Sequence, residues 1–280
     1  MKTGFAIAAL AAAIASGACT RTLDPPTPEE QARKTHAAIV SGANTLLMGD
    51  RLGYLAADGA VERTNTTCRG DTCATGFISL SGASSFGVEE SELTLLRARR
   101  GVNLVLEKGS GTYRRYEAYG GWLEHSLFGT RLALFTDEAG PSRGASVVSS
   151  YSLGISTGEN PGAAEGSARW EGPMLGRDMR ASAGRGQAVR GDADVTVDFA
   201  ATGMTADVAF TDIVNIQTGD PENDMAWRGM ALEEGGFARR NAPGDTVSGR
   251  FYGPNEEEVG GVFERDGIAG AFGGRRTSAP

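Results

Sequence analysis

Val195, Val197 and Phe199 alternate with Asp194, Thr196 and Asp198, and Met204, Ala206, Val208 and Phe210 alternate in the same way with Thr205 and Asp207 between them. A period of two is the signature of a β-strand with one apolar and one polar face. Strands of this kind build sheets solvated on one side, as in a sandwich or a closed barrel, and closure has the further merit of removing exposed edges. The stretch from Thr246 to Arg276 continues the pattern. Gly253-Pro254-Asn255 and Asp266-Gly267 divide it into three strands that carry Phe251, Phe263 and Phe272 in turn. The chain holds 41 glycines in 280 residues, and those at 249, 260, 261, 270, 273 and 274 suit tightly curved strands that need positions without a side chain. Residues 166–276 are long enough for the eight short strands of a small antiparallel barrel.

Upstream, Gly76-Phe-Ile-Ser-Leu, Leu93-Thr-Leu-Leu, Val102-Asn-Leu-Val-Leu-Glu and Arg131-Leu-Ala-Leu-Phe are short apolar runs separated by Gly, Ser, Asn and Asp. They read as a mostly antiparallel, β-rich domain over 50–155, with room for one helix. The fold class is therefore mainly β. Residues 156–165, rich in Gly, Asn, Pro and Ala, mark a linker between the two domains, and 277–280 form a short tail. Lys and Arg number 27 against 35 Asp and Glu, so the net charge of 27 − 35 = −8 argues against nucleic acid as a partner.

The first 18 residues carry Lys2, an apolar run from Phe5 to Ala15 and small residues before Cys19, which is the pattern of a secretory signal. The run is too short to span a bilayer. Ser16-Gly17-Ala18-Cys19 is similar to a bacterial lipobox, which makes Cys19 a lipidation site. Cleavage after Ala18 without acylation, leaving a periplasmic protein, is the alternative. Residues 19–49 then form a proline-bearing tether followed by a short helix within 29–48, with Thr27-Pro28 as its cap and first turn. Cys68 and Cys73 are close in sequence, and in an exported chain such a pair reads as a disulfide closing a small turn.

Gly249-Arg-Phe-Tyr-Gly-Pro-Asn-Glu-Glu-Glu-Val-Gly-Gly-Val-Phe263 followed by Gly270-Ala-Phe-Gly-Gly-Arg-Arg276 resembles the terminal strands of the β-barrel domain of transferrin-binding protein B. Trp170-Glu-Gly, Val195-Thr-Val-Asp-Phe and Gly235-Gly-Phe fit the same barrel, and the Tyr119-Gly-Gly-Trp region loosely resembles the β-rich handle that precedes it. The resemblance implies a handle followed by an eight-stranded barrel. It also implies a lipoprotein of the bacterial outer membrane or cell surface whose members bind partners and perform no catalysis with the barrel. A single handle-plus-barrel lobe is expected here, where transferrin-binding protein B has two. No transferrin-contacting motif is matched, so the ligand stays open.

Motifs for chemistry are few. Gly154-Ile-Ser-Thr-Gly158 has the spacing of a nucleophile elbow, but no helix pattern follows and both histidines, His36 and His125, precede Ser156. No catalytic residue is assigned. Asp220-Pro-Glu-Asn-Asp224 clusters oxygen ligands without the glycine and distal glutamate of a calcium loop, so it reads as a solvated loop. Glu256-Glu-Glu258 reads as a water-exposed hairpin flank. His125 could serve as an axial haem ligand, although a hydrogen-bonded strand histidine is the plainer reading. Trp122, Trp170 and Trp227 read as core or barrel-closing aromatics. No metal site is expected, and haem is the one cofactor entertained.

The leading functional reading is a lipid-anchored envelope binding protein that uses barrel and handle loops, with iron or haem acquisition as its context and an outer-membrane transporter as a possible neighbour. The alternatives are a haemophore-like haem binder and a structural envelope lipoprotein with no nutrient ligand. If the apolar face of 195–199 points inward, Val197→Asp places an uncompensated carboxylate in the barrel core and lowers the melting temperature markedly. An unchanged melting temperature would exclude the inward assignment.

Overall fold

The computed structural model describes residues 59–69, 72–75, 88–111, 115–134, 145–162, 166–180, 185–199 and 203–277. The signal segment, Cys19, the tether and the helix expected within 29–48 lie outside them. Among the described residues there is no helix, so the helix allowed for in 50–155 is not found where that domain is described.

The first domain is one antiparallel sheet of seven strands: β1 (Gly59–Arg69), β2 (Thr72–Thr75), β3 (Val88–Arg99), β4 (Val102–Gly111), β5 (Arg115–Trp122), β6 (Ser126–Leu134) and β7 (Ala145–Ile155). Their order is β2-β1-β7-β6-β5-β4-β3. β3 to β7 form a meander, and β1 returns to pair with β7 along its whole length. Cys68 stands directly opposite Cys73 in the β1–β2 ladder. Residues so opposed are about 4.5–5.5 Å apart at Cα, within the range of about 4.4–6.8 Å that a disulfide needs.

The second domain contains β8 (Ser167–Asp178), β9 (Ala188–Asp198), β10 (Thr205–Asn215), β11 (Met225–Glu233), β12 (Gly236–Ala242), β13 (Asp245–Tyr252), β14 (Glu258–Arg265) and β15 (Ile268–Arg276). They close into an eight-stranded antiparallel barrel, with β15 pairing back onto β8. The Glu234-Gly235 and Asp266-Gly267 turns have positive φ at both central residues (49° and 72°; 51° and 74°). That is the turn whose twist matches the flanking strands, and it explains the glycine at the second position.

Val195, Val197, Phe199, Ala206, Val208 and Phe210 are all buried in the barrel core, as their alternation requires. Aromatic rings fill much of the lumen. Phe210 lies 4.6 Å from Phe263 and 5.2 Å from Phe272, and Trp170 lies 4.8 Å from Phe251. The room for these rings comes from glycines directly across the ladder: Phe237 opposes Gly249, Phe272 opposes Gly261 and Phe263 opposes Gly270. A Cβ on any of the three glycines would meet the facing ring at 2.4–2.6 Å.

Burial distinguishes the two sides of the barrel. β10 and β11 alternate between buried and accessible positions. β8, β14 and β15 are buried almost continuously, because their outer face meets the first sheet. Leu175, Val262 and Ala271 from those strands cluster with Leu104, Tyr119 and Phe128 of the sheet. Gly273 permits the approach, since a Cβ there would sit 2.3 Å from the Phe128 ring. Gly154 does the same from the sheet side toward the Tyr252 ring, at 2.4 Å. We therefore expect Gly273→Val to cost about 1–3 kcal/mol by overpacking. Limited proteolysis should then cut the first domain faster while the barrel tryptophan fluorescence is retained; unchanged cleavage would show that Phe128 does not rest on Gly273.

Candidate binding surface

The handle sheet is locked to the barrel by charge at three places around its apolar contact. Arg177 is fully buried and donates from Nη1 to Glu117 Oε2 at 2.8 Å, with a second acceptor at the carbonyl of Gly186, 3.3 Å away. A buried pair of this kind is poor evidence of net stability, but removing one partner leaves an uncompensated charge and costs about 3–5 kcal/mol. Glu258 is the second lock. It is only 2% exposed, and its carboxylate accepts from the amides of Glu124 and His125 and, at 2.7 Å, from the Ser126 hydroxyl. The expectation that all of Glu256–Glu258 faces water is thus corrected: the β5–β6 turn folds over Glu258 and satisfies its charge with donors that water would otherwise supply.

The third lock lies at the β3–β4 turn. Arg99 Nε and Arg100 Nη2 both donate to Asp192 on β9, the latter at 2.8 Å, while Arg100 Nη1 reaches Glu171 on β8 at 2.9 Å. Arg169 extends the network to Glu171 and Asp194. Burial pushes the Asp192 carboxyl up, but the hydrogen bonds from Arg100 and Arg99 outweigh it and hold the group below its ordinary value.

The β8–β9 and β10–β11 connections leave the barrel at the same end, and side chains of their described residues, 179–180, 185–187 and 216–224, tie them together. Asn215 is the hub. Its Oδ1 accepts from the amides of Gln217 and Thr218, and its Nδ2 donates to Gln187 Oε1 at 2.8 Å. Gln217 Oε1 in turn accepts from the amide of Ala188 at 3.0 Å. Arg180 bridges Asp178 and Glu222, and hydrogen bonds to these two carboxylates raise its pKa further. Ile216, 40% accessible, is the large exposed hydrophobic of the described residues, and it stands on this braced loop. A preorganised loop loses little entropy when a partner docks.

The other residues singled out in the sequence fall as follows. Asp220, Glu222 and Asp224 lie in that same loop, with Asp220 and Asp224 exposed and Glu222 engaged by Arg180. Among the described residues no cluster of three or more His, Cys, Asp or Glu is arranged to hold a metal ion. Ser156 follows the end of β7 in the linker, where its Oγ accepts from the Gly158 amide at 3.2 Å. His125 sits in the β5–β6 turn, immediately before β6 and not within a strand as expected, beside Gly253 and Glu257. Trp170 and Trp227 are core residues at the two ends of the lumen, bonded to the carbonyl of Glu256 and to Asp245. The braced loops were not anticipated. Asn215 followed by a Gly-Asp-Pro turn was the available signal, but its partners are distant in sequence.

Residues 162–276 match the family model described as C-lobe and N-lobe beta barrels of Tf-binding protein B. No curated protein matches the sequence. Similar solved structures include transferrin-binding protein B of Haemophilus parasuis (14% identity, 79% of this chain and 45% of that one, TM-score 0.40). The N-lobe of lactoferrin-binding protein B of Moraxella bovis is 12% identical, covering 79% and 99%, with a TM-score of 0.39. Transferrin-binding protein B of Neisseria meningitidis is 16% identical, covering 78% and 43%, with a TM-score of 0.35. The chain thus spans less than half of the two transferrin-binding proteins and nearly all of the lactoferrin-binding lobe.

The Asp192 network gives a pH dependence of definite sign. A carboxyl held below its ordinary value of 3.8 contributes stability that is present above that value and lost as pH falls through the depressed folded-state pKa. Handle docking should therefore weaken below about pH 4, seen as increased proteolytic cleavage of the handle after acid exposure. Asp192→Asn should show weaker docking already at neutral pH and a flatter acid profile; an unaltered profile would assign the acid response to other carboxyls.

Proposed function

We propose that this chain, whose residues 162–276 form a barrel of the transferrin-binding protein B type, is a lipid-anchored binding protein of the bacterial envelope that takes a protein partner at the barrel-end loops. The observation that carries this reading is the loop 216–224, braced against Arg180, Gln187 and Ala188 through Asn215, Gln217 and Glu222 with Ile216 exposed on it. An apolar anchor on a rigid rim is how protein interfaces concentrate their energy. The filled lumen supports the choice of loops over an internal cavity.

Lipidation at Cys19 and a Cys68–Cys73 disulfide belong to this proposal. The directly opposed register of the two cysteines supports the second. Two of the similar proteins are a transferrin-binding and a lactoferrin-binding protein, and we take from them the class of ligand, a soluble protein, in the setting of iron acquisition at the cell surface.

The test is site-specific photo-crosslinking in living cells with the probe at position 216, followed by identification of the attached protein. A soluble iron or haem carrier, or an outer-membrane transporter, is the expected recovery, and Ile216→Asp should reduce its affinity at least several-fold. Recovery of envelope structural components alone would favour the structural alternative, and no adduct at all would remove Ile216 from any interface.

A further inference from the structure

The barrel is closed by ladder pairing at every seam, but one seam is short. β11 and β12 pair only at Leu232↔Phe237 and Glu233↔Gly236, next to their turn. From there to Ala242 the two facing edges separate. Two side chains cover part of the gap: Arg239 donates to the carbonyl of Gly229 at 3.0 Å, and Arg265 to the carbonyl of Ala226 at 2.6 Å. Guanidinium groups here do what strand amides do elsewhere in the barrel. An open groove runs past the small residues Ala231, Gly236, Ala238, Ser248 and Gly249, with Glu233, Glu234, Phe237 and Arg250 also lining it.

Charge along the seam is divided. Glu233 and Glu234 stand at the paired turn, whereas the unpaired stretches 225–231 and 238–242 carry Arg228, Arg239 and Arg240 and no Asp or Glu, on a chain whose net charge is −8. Arg228 and Arg240 are exposed, and among the described residues neither takes part in an ion pair.

We propose that the β11–β12 seam is a docking site for an extended acidic peptide segment of a partner protein, which adds as a strand along β11. An unpaired edge supplies main-chain hydrogen bonds, and alternate side chains of the added strand supply specificity. An incoming amide replaces Arg239 on the Gly229 carbonyl, and the freed guanidinium, with Arg228 and Arg240, meets the carboxylates of the guest. The inference rests on the reading of the chain as a binding protein but uses a surface distinct from the loop carrying Ile216.

The test uses the mature chain and a short synthetic peptide alternating acidic with β-branched residues, against a control in which lysine replaces each acid. Binding is followed by amide hydrogen exchange. The acidic peptide should slow exchange at Ala226–Ala231 and Ala238–Arg240, and the basic control should not. The double substitution R228E/R240E, on exposed positions, should weaken binding about tenfold or more, the scale of removing two interfacial charge pairs. Ala231→Cys with Ala238→Cys, continuing the observed register, should close the seam when oxidised and abolish binding reversibly.

Equal binding of both peptides, protection elsewhere, or an affinity unchanged by R228E/R240E would overturn the proposal. So would protection that grows with protein concentration in the absence of peptide, which would assign the seam to a second copy of the chain. If the seam fails while crosslinking from position 216 still recovers a partner, the general binding reading survives without it.

Discussion

The structure depends on the pairing of a glycine on one strand with an aromatic ring on the next. Phe237 over Gly249, Phe272 over Gly261 and Phe263 over Gly270 fill the lumen, while the absent Cβ atoms give the rings somewhere to lie. In a barrel this narrow, facing side chains of ordinary size would collide, and small side chains alone would leave voids that cost stability. The alternation of the largest and smallest side chains across each ladder solves both problems. It also sets the register: a slip of two residues would place Phe272 against Phe263, and a slip of one would turn the rings of that strand out of the lumen.

The same device, used on the outside, joins the two domains. Phe128 of the handle rests on Gly273 of the barrel and Tyr252 of the barrel rests on Gly154 of the handle, so each side contributes one ring and one gap. The apolar contact is not directional, and the surrounding charges supply direction. Glu117 with Arg177, Glu258 with the β5–β6 turn, and Asp192 with Arg99 and Arg100 fix the sheet against the barrel at separated points. The loops at the barrel's end are then carried on a scaffold whose parts do not move independently.

Much of the barrel was legible in the sequence because its signals are local. The alternation at 193–199 and 204–210 needs only neighbouring residues, and Asp266-Gly267 specifies its turn within two. The apolar filling of the lumen followed from the same patterns. What escaped was long-range. Glu258 reads as the end of an acidic run, and nothing near it shows that the turn carrying His125, more than a hundred residues earlier, will fold over it. Arg177 and Asp192 likewise take their roles from Glu117, Arg99 and Arg100 of the first sheet, brought close only when the two domains dock, and Asn215 from Gln187 across the β9–β10 pairing. The glycines were recognised as a group, but whether each faces a lumen ring or the handle is decided by register, which composition does not contain.

β15, like β8 and β14, faces two ways. One face of it helps fill the lumen through Phe272, the other lies against the handle through Ala271 and Gly273, and its edge joins β8 to complete the ring. It is also the last strand of the barrel to be synthesised. Until it arrives, β8 and β14 both present open edges and the handle has only part of the surface on which it docks. Assembly of both domains thus converges on a single late event. The strand that makes the barrel compact is the last of its eight to leave the ribosome, and every earlier barrel strand waits on it for a closed ring.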